Sequence, residues 1–292
     1  MIFGDIGAEY SAFEKALFVV LPVPYDLTST YQSGSRRGPG AILDASCNME
    51  LYDEELDRES YRAGIHTLPP LEVEAGGPEA MTGAVQRAIA GLLKAGKVPV
   101  LLGGEHSLSV GAVRATKEAY PDLAVLHLDA HADMRNTYQG TPYSHACAGR
   151  RMSECCPLVQ IGIRSMSAEE AEFIKRGPVK TYSADVISGS GAWREKIRAE
   201  ISGDLYISLD LDVLDPSVMP STGTPEPGGL QWKELLDLLR DVTGRCSVRG
   251  FDVVELSPIP GLVAPDFLAA KLIYKMMGYI AAGREGRSGK RS

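Results

Sequence analysis

The sequence predicts an α/β fold, a mainly parallel sheet covered by helices on both sides. Three observations point there. Short apolar runs rich in Val, Ile and Leu recur along the chain. Most are continuous rather than alternating, as expected of strands buried on both faces. Between them lie stretches with apolar residues at helical spacing, so strand and helix alternate throughout.

Taken in order, "ALFVVLP" (16–22) is an unbroken apolar strand. "GPGAILDASCNMELY" (38–52) is a helix, with Pro39 where a first helical turn tolerates it. "AGIHTLP" (63–69) is a weaker strand, and "PEAMTGAVQRAIAGLLKAG" (78–96) a helix that ends on Gly96. The strand "VPVLLGG" (98–104) leads into the helix "SLSVGAVRATKEAY" (107–120), which stops before Pro121. "LAVLHLD" (123–129) and "LVQIGIR" (158–164) are strands. "SAEEAEFIKRG" (167–177) opens with Ser167 and Glu170 at capping-box spacing and closes at Gly177. "PVKTYSA" (178–184) is a weak strand, and "ISGSGA" (187–192) reads as a flexible loop. "DLYISLD" (204–210) and "VRGFDVVEL" (248–256) are strands. "LQWKELLDLLRDVTG" (230–244) and "DFLAAKLIYKMMGYIAAG" (266–283) are the clearest amphipathic helices. No low-complexity linker or repeat divides the chain, so residues 1–283 read as one domain and the polar, Gly-rich residues 284–292 as a frayed tail.

Composition narrows the function classes. The formal net charge of -8 offers no basic face for nucleic acid and favours small cationic partners. No stretch approaches the roughly 20 apolar residues of a membrane span. The N-terminus lacks a basic region followed by an apolar run, so a secretory signal is not expected. Five cysteines, Cys47, Cys147, Cys155, Cys156 and Cys246, show no CxxC spacing. They point to a reducing cytoplasm rather than a disulfide framework.

Ligands of open α/β sheets bind beyond the carboxyl ends of the strands. Acidic and imidazole residues occupy those places here: Glu105 and His106 after one strand, Asp129, His131 and Asp133 after another, Asp210 and Asp212 after a third, Glu255 after a fourth. In extended backbone, side chains two apart share a side, so each set converges if the strand continues a little. Four close carboxylates repel one another and take up protons. Two divalent cations would balance them, with His106 and His131 completing six ligands. Such an oxygen-rich set with imidazole suits manganese, and thiolates are absent from the motif positions. Two metals a few ångströms apart bridge one hydroxide and lower its pKa toward neutrality. His127, two residues before Asp129, reads as a supporting or packing residue, and His66 as incidental.

At these residues the chain resembles the ureohydrolases, the arginase and agmatinase family of dinuclear manganese hydrolases. The matching blocks are "GGEHS" (103–107), "LDAHAD" (128–133), "SLDLDVLDP" (208–216), "TGTPEPGGL" (222–230) and "GFDVVELSP" (250–258), in the family's order. The resemblance implies an arginase-like three-layer α/β/α sandwich with eight strands. It implies that His106 and Asp133 bind one manganese, His131 and Asp212 the other, and that Asp129 and Asp210 bridge both. It further implies attack on a guanidinium carbon with release of urea. Asp133 would carry the proton to the departing amine, Glu255 pair with the guanidinium NH groups, Thr224 add a substrate hydrogen bond, and His145 shuttle protons. Trimers or hexamers are usual in the family.

The substrate's far end divides the family. The loop "MRNTYQGTPYS" (134–144) is the expected reader, with Tyr138 and Tyr143 flanking an alkyl chain. Arg135 faces either a carboxylate or solvent. Glu226 either faces the substrate channel or shapes a Pro-rich turn, and Arg36 and Arg37 are loop or subunit-contact residues. "SHACAGRRM" and "GTPEPGG" look most like agmatinases, which cleave agmatine to putrescine and urea for polyamine synthesis. N1-aminopropylagmatine, guanidinobutyrate and arginine are the alternative substrates. Cys147 departs from the family pattern and puts pocket width in doubt. A non-catalytic metal-binding relative and a dinuclear phosphoesterase are the other classes.

Overall fold

A strand with no polar face can only lie inside a sheet covered on both sides, and the computed structural model has this arrangement. It describes residues 1–177, 179–188 and 191–289. The elements run α1 (Ala8–Ser11), β1 (Phe18–Val23), α2 (Gly38–Ser46), β2 (Tyr52–Asp53), β3 (Arg58–Glu59), β4 (Ile65–Thr67), α3 (Pro78–Lys94) and β5 (Val98–Gly103). Next come α4 (Ser109–Ala119), β6 (Ala124–Leu128), α5 (Ala148–Ser153), β7 (Leu158–Ile161), α6 (Ala168–Arg176), β8 (Lys180–Tyr182) and α7 (Ala184–Ser188). The chain continues through α8 (Trp193–Glu200), β9 (Asp204–Asp210), α9 (Trp232–Arg245), β10 (Ser247–Val254) and α10 (Ala264–Gly289).

Eight strands form one sheet in the order β4-β1-β5-β10-β9-β6-β7-β8. Every pairing in it is parallel. Period-2 geometry sends alternate residues to opposite faces. Val98, Val100 and Leu102 of β5 enter a core with Ile42 of α2, Leu238 of α9 and Ile273 of α10. Leu101, between them, enters a second core with Val85 of α3, Val113 of α4 and Met152 of α5. The expected three-layer sandwich is thus present, and the sheet reads as sequence predicted.

The strand order places the site. From β5 the chain crosses to β6 and leaves a gap that β9 and β10 later fill. The four central neighbours β5, β10, β9 and β6 are therefore the strands followed by Glu105 and His106, by Glu255, by Asp210 and Asp212, and by Asp129 to Asp133. Because all are parallel, their carboxyl ends lie at one edge, where the strand order reverses.

Three expectations differ from the structure. Helix α2 stops at Ser46 and the chain instead makes a small antiparallel hairpin, β2 with β3. Lys275 of α10, 3% exposed, fastens this hairpin by donating to Asp53 Oδ1 (2.8 Å), Glu55 Oε2 (3.2 Å) and Glu54 Oε1 (3.4 Å). Asp53 is fully buried and also caps the turn by accepting from the Glu55 and Leu56 N–H groups. Second, the tail expected from residue 284 is helical through Gly289, because Glu285 takes both guanidinium arms of Arg58 and Arg287 reaches the Thr243 carbonyl. Residues 290–292 lie outside the described residues. Third, Ile187 and Ser188, expected in a loop, end α7, and residues 189–190 of that stretch lie outside the described residues. Among the described residues no helix is long and apolar enough to cross a membrane, and all five cysteines are free thiols.

Candidate active site

The end of β5 turns at Gly104. A Cβ there would lie 1.9 Å from the Tyr25 carbonyl oxygen, so only glycine passes. The turn keeps the sheet's pairing alive for two residues, with Gly104 N–H on Val23 O and Glu105 N–H on Tyr25 O. His106 then begins a short 3-10 turn, His106–Leu108, that enters α4. Its N–H donates to Glu255 Oε1 at 2.8 Å, which joins the ends of β5 and β10.

The expected extended run beyond β6 is corrected by the structure. Regular strand stops at Leu128, and Asp133 has φ +51, in the left-handed region. What converges Asp129, His131 and Asp133 is a loop whose backbone is pinned at each step. Ala130 N–H donates to Asp212 Oδ1 (2.9 Å) and His131 N–H to Asp129 Oδ1 (2.5 Å). Asp133 O accepts from Arg150 N–H, and the buried Glu170 accepts from Met134 N–H at 2.8 Å. Asp212 likewise lies in a 3-10 turn, Leu211–Val213, capped by Asp210 Oδ1 (2.8 Å), rather than on an extended strand. A left-handed Asp costs about 1–3 kcal/mol, a cost typical of places where side-chain aim matters.

His106 Nδ1 lies 3.0 Å from Asp129 Oδ2, 3.2 Å from Asp210 Oδ2 and 3.5 Å from Asp133 Oδ2. It is buried, and these carboxylates are its only polar neighbours among the described residues. Its other nitrogen, Nε2, meets Ser208 Oγ at 2.9 Å, and the Ser208 hydroxyl donates to the buried Asp252 Oδ1 at 3.0 Å. With that proton committed to a carboxylate, Ser208 can only accept from Nε2–H. Nδ1 is then left facing three carboxylates, an arrangement that either a proton on the ring or a bound cation makes favourable. On the other side His131 Nδ1 lies 2.9 Å from Asp212 Oδ2 and 3.6 Å from Asp129 Oδ1. Ligand atoms of Asp129, His131 and Asp212 lie close enough to hold a metal ion, as do those of His106, His127, Asp129 and Asp133. Asp129 belongs to both groups.

His127 is excluded from ligation by its own partners. Gln160 Oε1 accepts from Thr181, so its amide nitrogen donates to Ala132 O (2.7 Å) and to His127 Nδ1 (2.9 Å). His127 Nε2–H therefore donates to Asp129 Oδ2 at 2.9 Å and aims that carboxylate.

Without a cation, the carboxylates and imidazoles share protons. Burial disfavours a charged His106, yet the hydrogen bonds and charges of Asp129 and Asp210 outweigh it and hold it well above the ordinary imidazole range. Burial, then the charge of Asp129, pushes Asp133 well up; burial, then Asp212 and Asp129, does the same to Asp210. Burial works in the same direction at Asp129, but hydrogen bonds from His106, His127 and His131 prevail and hold it well below the usual range. Such proton sharing is what a set of metal ligands does without its metal.

A cavity of about 260 Å³ opens onto this floor. His106, His131, Asp133, Asp210 and Asp212 line its base, and Glu255, Thr224, His145, Arg135 and Tyr138 its walls. Glu255 has φ +65, and burial followed by the charge of Glu105 pushes its carboxyl up to about 8. Burial lowers the His145 imidazole to about 4, so the ring is neutral at physiological pH. Arg135 stacks on Tyr138, 4.9 Å from the ring centre, with Glu170 at 3.8 Å.

Other expected residues lie elsewhere. Tyr143 is not part of the cavity wall; the Arg114 guanidinium lies over its ring, 5.4 Å from the centre. Glu226 sits at the rim, 3.9 Å from His131 Nε2, its carbonyl clasped by Arg164. Cys147 is fully buried behind the wall, and burial raises its thiol to about 11. Arg36 pairs with Asp26, and His66 with the Ser11 carbonyl. The sequence reading missed Ser208, Asp252, Gln160 and Glu170. Ser208 carried a signal, since it sits two residues before Asp210 on one strand.

Comparison with known proteins places the chain among relatives. A model of the arginase family matches residues 16–278. The chain is 41% identical over 279 residues to an N(1)-aminopropylagmatine ureohydrolase of Thermus thermophilus, covering 95% of this chain and 94% of that one. It is 35% identical over 257 residues to an agmatinase of Bacillus anthracis, covering 86% and 87%. Its backbone matches the crystal structure of agmatine ureohydrolase of Thermoplasma volcanium with a TM-score of 0.87 at 33% identity, over 96% and 95% of the two chains.

Proposed function

We propose a reaction from one premise: this chain belongs to the arginase family and is a hydrolase of C–N bonds in linear amidines. The proposed substrate is N1-aminopropylagmatine, cleaved at its guanidino carbon to urea and a triamine. The observation that carries this choice is the 41% identity, along nearly the whole chain, to a protein of that name, against 35% to an agmatinase. It displaces agmatine, the substrate favoured by the sequence motifs, to second place. Agmatine keeps support from the 0.87 TM-score to an agmatine ureohydrolase.

His106 and Asp133 would hold one divalent cation, His131 and Asp212 a second, with Asp129 and Asp210 between them. Donor chemistry favours manganese, and the cation pair, when bound, supplies a water made nucleophilic at neutral pH. The protein's own groups do the rest. Glu255 pairs with the guanidinium and turns its carbon toward the acidic floor. Thr224 adds a hydrogen bond to the substrate. Asp133 accepts the proton from the attacking water and delivers it to the departing amine nitrogen. His145, neutral and on the cavity wall, relays protons to solvent. By family resemblance the proposed assembly is a cytoplasmic trimer or hexamer, which light scattering measures directly.

The test is a substrate panel. Manganese-loaded protein is given N1-aminopropylagmatine, agmatine, guanidinobutyrate and arginine, and urea is measured. The highest kcat/KM is expected for N1-aminopropylagmatine. Preference for agmatine would overturn the substrate, and urea from none of the four would overturn the reaction.

A further inference from the structure

Glu105 is fully buried, and no step of the proposed reaction uses it. Its carboxylate accepts from Thr28 N–H (2.6 Å), the Thr28 hydroxyl (2.7 Å) and the Ser107 hydroxyl (2.5 Å). Thr28 lies in the loop between β1 and α2. Asp26 closes that loop into a hoop, accepting from Gly34 N–H (2.9 Å), Arg36 N–H (3.3 Å) and Arg36 Nε (2.5 Å). Thr28 and Thr30 both meet His145. The His145 N–H donates to Thr28 Oγ1 at 2.9 Å, and the same oxygen lies 3.4 Å from the ring's Nδ1. Thr30 Oγ1 lies 3.2 Å from Nε2, and both Thr30 and His145 line the cavity. Ser144 Oγ is a more distant neighbour of Nδ1, at 3.5 Å.

We propose that Thr28, anchored by Glu105, and Thr30 are positioning residues that hold His145 in one orientation and one tautomer. The proposal rests on the proton-relay role given to His145 above. The Thr28 hydroxyl has one proton, and it is given to Glu105 Oε1. Only lone pairs of Thr28 remain for His145. A lone pair against Nδ1 calls for a proton on that nitrogen, which leaves Nε2 bare and facing the cavity. Thr30 donates to bare Nε2. When Nε2 takes up a proton, the Thr30 hydroxyl rotates and accepts instead, because a hydroxyl does both. The ring therefore gains and loses a proton at the cavity side without moving a heavy atom. A backbone or side chain fixed from outside the ligand set is the common way to choose between the two imidazole nitrogens.

The experiment pairs Thr28→Val and Thr30→Val with Thr28→Ser and Thr30→Ser. Two readouts are taken: steady-state urea release, and the long-range 1H–15N spectrum of metal-free protein carrying 15N-histidine, with His145 assigned by His145→Gln. The wild-type spectrum is expected to show His145 as the Nδ1–H tautomer, and Thr28→Val to show a tautomer mixture. Each valine variant is expected to lose about 10–100-fold in kcat with KM changed by less than about threefold, and each serine variant to recover most of it. The Thr30 hydroxyl pairs with the imidazole and takes no part in the Glu105 anchor, so Thr30→Val remains informative if Thr28→Val folds poorly. An Nε2–H tautomer in the wild type, unchanged kcat in Thr30→Val, or no recovery by serine would overturn the proposal. Urea from no guanidino compound in the wild type would overturn the reaction instead, while the tautomer spectrum still decides the clamp.

Discussion

Ser208→Ala tests whether the lone pair of His106 is aimed by the chain that runs through Ser208 to Asp252. The hydroxyl removed is the acceptor for His106 Nε2 at 2.9 Å and the donor to Asp252 Oδ1 at 3.0 Å, and all three residues are buried. Without metal, a stranded buried N–H costs about 1–3 kcal/mol. The more specific effect is on metal affinity. Loss of a group that orients a ligating histidine lowers affinity about 10–100-fold, which is about 1.4–2.7 kcal/mol. At saturating metal the stabilisation conferred on the fold shrinks by that same amount. At about 2 °C per kcal/mol for a large domain, the metal-induced rise in Tm falls by about 3–5 °C. The assay is thermal melting of wild type and Ser208→Ala, each with chelator and with a manganese titration, comparing the increments rather than the Tm values. An identical increment in the two proteins would refute the claim that this chain sets His106 for a cation.

Asp133→Asn is expected to lower urea release by about 10²–10⁴-fold while the circular dichroism melt persists; near-normal turnover would remove Asp133 from the proton path. Lys275→Met leaves the fully buried Asp53 without its cation and is expected to cost about 3–5 kcal/mol in urea melts. Lys275→Met with Asp53→Asn should recover part of that loss, and an equal or larger cost in the double variant would contradict a charge origin. Asp241 sits under Arg198 and Arg245; burial pushes its carboxyl up, but the two guanidinium groups prevail and hold it below the usual range. A folded-state value below the unfolded one, near 3.9, gives stability that is present above that pH and lost as pH falls through the folded value. Asp241→Asn is thus expected to cost about 1 kcal/mol at pH 7 and almost nothing near pH 2. A penalty of the same size at both pH values would show that the loss is packing rather than charge.

Most strands of the main sheet were legible because they are largely apolar runs between punctuating Gly, Pro and acidic residues. The β2–β3 hairpin was not legible, since its strands have two residues each and depend on Lys275, more than two hundred positions away. The last turns of α10 were misread for a related reason. Their composition suits a tail, and what orders them is Arg58 and the Thr243 carbonyl. At the site, residue types and spacing pointed to His106, Asp129, His131, Asp133, Asp210 and Asp212, but period-2 reasoning gave the wrong local geometry. Asp133 and Asp212 reach the same place through a left-handed residue and a 3-10 turn. Thr28, Thr30 and Gln160 left no signal, because a threonine or glutamine in a loop or strand has no spacing that marks it. Their partners come from other segments, and only the fold brings them together.

Strand β10 is the last to be synthesised, yet it lies in the middle of the sheet, between β5 and β9. Until it arrives, the chain can build only two unfinished half-sheets, β4-β1-β5 and β9-β6-β7-β8, each with a bare apolar edge open to wrong pairing. A nascent chain that has grown as far as Arg245 already carries all six proposed ligands, His106 to Asp212. It lacks the strand that pairs with both β5 and β9 and so joins the segments that carry His106 and Asp210.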